Sequence, residues 1–337
     1  MTNIVNASTI LITGGTGFIG SHLAKEQVNR GHYVTVIDNL RTGSLDNIKA
    51  LLENKNFTFI NADILDSRKM TEVCRNQDVI YHLACLGIRH SLHSPLENHR
   101  VNAEGTINML QAAIDNKVKK FFYISTSEVY GDVEKFPIDE TALPRPKTVY
   151  GSSKLAGEHY VNSYHKCFGL DVTTLRIFNN YGPNSHFEGD SGEIIPRSIV
   201  NIIYGKNPAI FGDGKVTRDF FYVKDTARIL SDMLSLQNIC GETINVGTGE
   251  EISMTRLLKT VIKLMHKENA IKIDYLGERP ADVPRLWVDN RKFLKITGFK
   301  PSVTFEQGLS STIEYFTELS KKKELLSHMD IYNWIKK

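Results

Sequence analysis

A chain of 337 residues has room for roughly two structural units of about 100–200 residues each. With 41% hydrophobic and 23% charged residues its composition is that of a globular protein, and no apolar run reaches the roughly 18 residues of a membrane span, which argues against a membrane partner. A net charge of +3 is too small to point to nucleic acid, and four dispersed cysteines (Cys74, Cys85, Cys167, Cys240) offer neither a disulfide framework nor metal-ligand spacing, so no metal is expected.

In chain order, Met1–Ser8 lacks the basic and apolar regions of a secretory leader, and a cytoplasmic location is expected. Apolar, β-branched runs follow at Thr9–Thr13, Tyr33–Ile37, Phe57–Ile60, Val79–Leu83, Phe121–Ser125 and Val172–Ile177, with helix-period segments between them. Alternating strand and helix predicts an α/β architecture, a doubly wound parallel sheet covered on both faces. Beyond residue 180, Pro- and Gly-marked pieces such as Tyr181-Gly182-Pro183 alternate with short helical stretches. The division expected is a dinucleotide-binding domain over 1–180, a smaller C-terminal α/β substrate lobe over 181–320 and a tail over 321–337. Segments near 215–250 are expected to rejoin the first domain, because Ile244–Val246 reads as a further strand. In the tail, Leu325, Met329, Tyr332 and Ile335 recur three or four apart, which predicts a short amphipathic helix over Glu324–Ile335 packed on its own domain.

Directly after the first strand, Gly14, Gly17 and Gly20 fall three apart, with Phe18 and Ile19 opening a helix. Missing side chains let the backbone turn sharply and bring a helix N-terminus to a pyrophosphate, the Rossmann-type arrangement. Asp38 closes the second strand, followed by Asn39. Its carboxylate suits ribose hydroxyls and repels a 2′-phosphate, so NAD is expected over NADP, although Arg41 could neutralise such a phosphate. Tyr150 and Lys154, four apart, project from one helix face. A tyrosine is a poor base at its ordinary pKa of about 10. A neighbouring ammonium and a positive nicotinamide favour its phenolate, which can then take a hydroxyl proton as a hydride leaves the same carbon.

The glycine spacing resembles that of the short-chain dehydrogenases/reductases, and further segments strengthen the likeness: Asn61-Ala62-Asp63-Ile64, His82-Leu83-Ala84-Cys85, Val101-Asn102-Ala103-Glu104-Gly105-Thr106 and Tyr150-Gly151-Ser152-Ser153-Lys154. The resemblance implies that Asp63 and Ile64 contact adenine, that Leu83 and Ala84 line the dinucleotide, and that Tyr150 and Lys154 carry chemistry. Cys85 departs from the family's small alanine. Over Thr9–Tyr315 the chain resembles the extended branch of the family, NAD-dependent sugar-nucleotide epimerases and dehydratases. That likeness implies a UDP-, GDP-, CDP- or dTDP-hexose as substrate and a homodimer formed by helices near Leu96–Asn116 and Ser152–Cys167.

Ser125-Thr126-Ser127-Glu128-Val129-Tyr130-Gly131 ends the fifth strand, where Thr126, Ser127 and Glu128 should face the crevice with Tyr150. A 4-epimerase has no work for a carboxylate beside C5. In a 4,6-dehydratase, a C4 ketone acidifies the C5 hydrogen, and Glu128 can remove it as water leaves C6. The run resembles GDP-mannose dehydratases; dTDP-glucose dehydratases carry Asp where this chain has Ser127. It also resembles UDP-glucuronate decarboxylases, ranked lower because Gly151-Ser152-Ser153 differs from their filling. A 4,6-dehydratase is therefore expected first, with 4-epimerase and decarboxylase as alternatives. A non-enzymatic NAD-binding regulator has little reason to carry Tyr150, Lys154 and Glu128 together. For the substrate the resemblance points to Asn179, Arg218, which the alternative pairs with Asp219 or Asp225, Arg279 and Arg285, with Arg89 and His90 on a loop over the sugar.

Overall fold

The computed structural model describes residues 7–335. Residues 1–6, most of the stretch without a leader signature, lie outside the described residues. The first half alternates as β1 (Thr9–Thr13), α1 (Phe18–Asn29), β2 (Tyr33–Asp38), β3 (Phe57–Asn61), α2 (Ser67–Val73), β4 (Val79–His82), α3 (Ile88–His93), α4 (Pro95–His99), α5 (Gly105–Asp115), β5 (Lys120–Thr126), α6 (Val149–Phe168) and β6 (Val172–Ile177). A π-turn over Arg100–Glu104 joins α4 to α5. Then come β7 (Asn179–Tyr181), α7 (Ile194–Ile203), β8 (Ala209–Phe211), β9 (Thr217–Arg218), β10 (Phe220–Tyr222), α8 (Val223–Asp232), β11 (Glu242–Val246), β12 (Ile252–Ser253), α9 (Met254–Leu264), β13 (Asp274–Leu276), β14 (Arg285–Leu286), α10 (Arg291–Thr297) and α11 (Phe305–Ser320).

The main sheet has seven strands in the order β11-β6-β5-β4-β1-β2-β3, all parallel. Strand order reverses between β1 and β4, and such a reversal opens a crevice at the carboxyl ends of the strands. Alternation along each strand feeds two cores. Ile10, Ile12, Phe122 and Ile124 join one, whereas Leu11, Phe121 and Tyr123 join the other. The strand expected at Ile244–Val246 is the end of β11 and occupies the edge beside β6. Phe293 of α10 and Phe299 also pack into the first of these cores. A separate core gathers α7, α9 and α11 around Ile199, Leu257, Leu258, Leu309 and Phe316.

The tail does not form the expected amphipathic helix. One 3-10 turn, Leu326–His328, is its only helical piece among the described residues. Glu324 accepts hydrogen bonds from the Leu326 and Ser327 amides and the Ser327 hydroxyl, which caps the start of this turn, and the chain leaves it in extended conformation at Met329. Beyond it the apolar side chains are used individually: Leu325 is wholly buried in the lobe, whereas Ile331 and Ile335 are exposed.

Helix α6 starts at Thr148, whose hydroxyl accepts from the Gly151 amide at 3.1 Å, and stops at left-handed Gly169. It is fixed to the sheet by a buried polar row. Register pairs Ser125, Arg176 and Asn245 across β5, β6 and β11. Arg176 grips Glu158 of α6 at 2.6 Å and donates to the Tyr130 hydroxyl at 2.8 Å, which donates to Asn245 at 2.7 Å. Burial alone would lower the Arg176 guanidinium, but its bonds to Glu158 and Tyr130 outweigh that and hold it well above its ordinary pKa. Replacing Glu158 by Ala strands a buried cation and is expected to cost about 3–5 kcal/mol of unfolding free energy in urea titrations. The double replacement by Met at 158 and 176 should cost less than that single change; an equal or larger loss would contradict the burial argument.

Candidate active site

At the cofactor end the turn after β1 takes Gly14 through φ +67°, and a Cβ there would lie 2.9 Å from the Ala84 backbone. Only glycine fits. Helix α1 then begins at Gly17 with no side-chain cap and no acidic residue in its first turn, so its first amides are free for an anion. Asp38 accepts from the Thr16 amide at 3.1 Å and the Leu40 amide at 2.9 Å, and Asn39 donates to Asp63 at 2.9 Å. Thr13 receives the Leu83 and Ala84 amides at 3.1 Å each and sits 2.7 Å from His82, fixing the turn after β4. Gly14, Gly17, Phe18, Ile19, Gly20, Asp38, Asn39, Asp63, Ile64, Leu83 and Ala84 line one cavity of about 390 Å³. An uncapped helix end, a glycine-built approach and an acidic strand end fit a dinucleotide.

The same cavity is lined by Thr126, Ser127, Glu128 and Tyr150. Gly151 makes this closeness possible, because a Cβ on it would stand 2.7 Å from the Glu128 carbonyl oxygen. Asn102 in the π-turn binds both backbone groups of Leu86, at 2.8 and 3.0 Å, and the Ser153 hydroxyl at 3.0 Å, tying α6 to the turn after β4. Lys154 is buried one turn beyond Tyr150, its ammonium 4.2 Å from the Tyr123 ring centre, and does not line the cavity.

The protein's own groups do not by themselves favour the Tyr150 phenolate. Although part of its surface opens to the cleft, surrounding protein drives its pKa well above the ordinary value. Cys85, Glu128 and Glu193 add to this, and the Thr126 hydroxyl opposes it. Burial likewise lowers Lys154. Burial raises the Glu128 carboxyl too, outweighing the Arg218 and Arg279 charges that pull it down.

At the far side Asp282 holds Arg218 at 2.9 Å and Arg279 at 2.7 Å, and Arg218 also donates to the Val283 carbonyl at 2.7 Å. Neither Asp219 nor Asp225 partners Arg218; they receive the Thr248 and Gly249 amides, and Arg228, respectively. One carboxylate shared between two guanidiniums leaves net positive charge facing the cleft. Arg89 and His90 lie on helix α3 and are buried, not on an exposed loop; Arg89 bonds Glu193 at 3.1 Å. Burial pushes Glu193 up, but Arg89 and Arg279 outweigh it and hold it below the usual range. The Asn179 carboxamide oxygen is buried without a partner. Arg89, Asn179, Glu193, Arg218 and Arg279 line both this cavity and an adjoining one of about 810 Å³.

Arg285 is a correction. It lines neither cavity, because β14 turns it to Glu251, at 2.7 and 2.9 Å, and onto the Phe136 ring at 4.2 Å. Arg41 reaches over the cleft to Glu97, at 3.0 Å through Nη2, and lies 3.1 Å from His90 Nε2. Glu193 and His186, which also line the cleft, were missed. No spacing marks them, since the loop before α7 reaches the crevice only through the lobe's packing. Among the described residues, His90, His93 and Asp190 have potential metal-ligand atoms within 4.8 Å of one another, but Arg41 sets positive charge against a cation there.

The chain matches the GDP-mannose 4,6 dehydratase family over residues 11–312. It belongs to that family. It is 36% identical over 319 residues to a UDP-N-acetyl-alpha-D-glucosaminuronate decarboxylase of Bacillus cytotoxicus, covering 92% of this chain and 98% of the relative. A dTDP-glucose 4,6-dehydratase of Streptomyces niveus is 31% identical over 317 residues, with 92% and 93% covered. The solved UDP-glucuronic acid 4-epimerase of Bacillus cereus, in complex with UDP-glucuronic acid and NAD, superposes with a TM-score of 0.86 at 34% identity, covering 92% of this chain and 99% of that one. As a member of the GDP-mannose 4,6 dehydratase family, within the extended short-chain dehydrogenases/reductases, the protein is an enzyme of a set spanning dehydratases, epimerases and decarboxylases.

Replacing Gly151 by Ala should force α6 away from the Glu128 turn. We expect a loss of about 1–3 kcal/mol and faster amide exchange at 127–131, read by thermal melting and mass spectrometry. Unchanged exchange there would show that the contact does not hold the turn.

Proposed function

We propose that the protein is an NAD-dependent nucleotide-sugar 4,6-dehydratase. The observation that carries this is Glu128: a carboxyl group of raised pKa in the same cavity as Tyr150, where C4 oxidation alone would need no acid. Bound NAD would take up the hydride from C4 and return it to C6. Tyr150, as the phenolate that the positive nicotinamide would favour, receives the O4 proton, and Lys154 one turn behind supports it. With C4 a ketone, Glu128 removes the C5 proton, and its raised pKa suits it to pass a proton to the departing C6 hydroxyl. Water leaves, C5 is reprotonated, and a 4-keto-6-deoxy sugar results with no net oxidation. Arg218 and Arg279 take the diphosphate, as guanidiniums match planar anionic oxygens with paired donors. The unpartnered Asn179 oxygen accepts from a ligand hydroxyl.

Decarboxylation is the second reading, favoured by the Bacillus cytotoxicus relative and by the buried Arg89 guanidinium beside the cleft, where it could meet a sugar carboxylate. In that case a C4 ketone makes the C6 carboxylate a β-keto acid that loses carbon dioxide.

UDP-, GDP-, CDP- and dTDP-hexoses and UDP-uronates, followed by NMR in deuterium oxide, separate these. A dehydratase gives a 4-keto-6-deoxy product deuterated at C5. Carbon dioxide from a uronate alone, or a C4 epimer without C5 exchange, would overturn the assignment. Glu128→Gln should lower C5 exchange by about 10²-fold or more while substrate still reduces bound NAD. Because Glu128 acts as a base and its pKa is raised, kcat should fall with acid at a pH above the ordinary glutamate range, a limb absent in the Gln variant.

Cofactor choice is tested separately. Asp38 at the end of β2, with Arg41 committed to Glu97, supports NAD. NADP should bind at least about tenfold more weakly, measured by titration calorimetry; equal affinities would refute this.

A further inference from the structure

The larger cavity adjoins the smaller one at Arg218 and Arg279 and is also lined by Ala209 and Phe211 of β8. A ligand with its sugar at Tyr150 and its phosphates on the two arginines has this cavity for its remaining group. Its outer wall comes from the tail: Met329, Ile331, Tyr332 and Asn333 line it, and all lie past residue 312, where the family match stops.

This wall is tied down. Arg197 of α7 donates to the Asp330 carbonyl and, at 3.3 Å, to that of Ile331. Asn333 donates to the Gly189 and Gly192 carbonyls at 2.9 and 3.2 Å, the loop that leads to Glu193. Trp334 stands edge-on to Phe211 with ring centres 4.6 Å apart, and Tyr332 lies 6.0 Å from the same ring. Arg197 also lines the cavity, and its second terminal nitrogen is buried without a partner, a donor left over at the wall.

We propose that residues 329–334 complete the subsite for the nucleobase, with Tyr332 and Phe211 as its aromatic boundary and Arg197 as a donor at its edge. The tail thereby sets the affinity for the nucleotide half of the substrate. A planar base suits aromatic walls, since stacking is tolerant of base identity and each contact contributes severalfold to affinity. This rests on the reading that the site takes a sugar nucleotide.

The chain carries two tryptophans. In a Trp287→Phe background Trp334 therefore reports alone, and its fluorescence should change saturably on titration with at least one of UDP, CDP, dTDP or GDP. Truncation after Met329, which leaves Leu325 in the core but removes Trp334, should weaken that nucleotide at least about tenfold by titration calorimetry, and Tyr332→Ala about fivefold by the same measurement. NAD affinity should stay within about twofold, and saturated turnover should change less than KM. Nucleotide binding unchanged in both variants would overturn the tail's role and leave the sugar-nucleotide reading standing. Failure of the parent protein to bind any of the four would overturn both.

Discussion

The grip of Arg176 on Glu158 is the constraint on which the site depends. Tyr150, Lys154 and Glu158 recur every four residues along α6 and form one stripe against the sheet. Glu158 anchors the inner end of that stripe to β6, and the same guanidinium holds Tyr130, just past the Glu128 turn. One buried cation therefore sets the position of Tyr150 relative to Glu128, two groups from different elements. Such a pair adds little net stability once desolvation is counted. Its value is geometric: with Ser125 and Asn245 in the same row it admits a single register between helix, turn and three strands.

The cleft repeats this logic with charges that a ligand can redistribute. Three arginines that line it are already engaged, Arg89 by Glu193 and the pair Arg218 and Arg279 by Asp282. Prior pairing keeps the guanidiniums oriented and spares each the full cost of burial. Because Asp282 serves two arginines, an anion can bind without displacing it. Glu193 is matched one to one with Arg89, so an anion reaching Arg89 must compete with a carboxylate. Under the sugar-nucleotide reading proposed above, this asymmetry favours the diphosphate at Arg218 and Arg279 and leaves the Arg89 end for a neutral sugar, unless the sugar brings a carboxylate of its own.

Much of this was legible in the sequence, for reasons particular to each element. Strands of a parallel sheet are buried on both faces and read as uninterrupted apolar runs, which is why β1 and β6 end where expected. The glycine turn was legible because only glycine tolerates the Ala84 backbone at Gly14. Arg285 was not, since its side depends on a two-residue strand pairing with β9, and a shift of one residue would turn it to the other face. The tail misled because spacing of three or four is shared by helices and by irregular segments whose side chains find separate pockets. Leu325 and Trp334 meet quite different neighbours. Nor could spacing reveal that burial dominates the Tyr150 phenol, because desolvation is a property of the assembled cleft.

That last point bears on how the two acids cooperate under the dehydratase reading. Tyr150 and Glu128 are close enough that the carboxylate's charge makes the phenol hold its proton more tightly. While Glu128 is ionised, a proton taken from O4 is therefore kept on Tyr150, and the ketone forms. When Glu128 accepts the C5 proton its charge disappears, and the phenol becomes a better acid at the moment when negative charge has moved onto O4 of the enolate. The coupling that hinders Tyr150 as a base in the resting cleft thus favours it as a donor one step later. Neither residue needs an unusual intrinsic pKa for this, only the separation fixed by Gly151 lying against the Glu128 carbonyl.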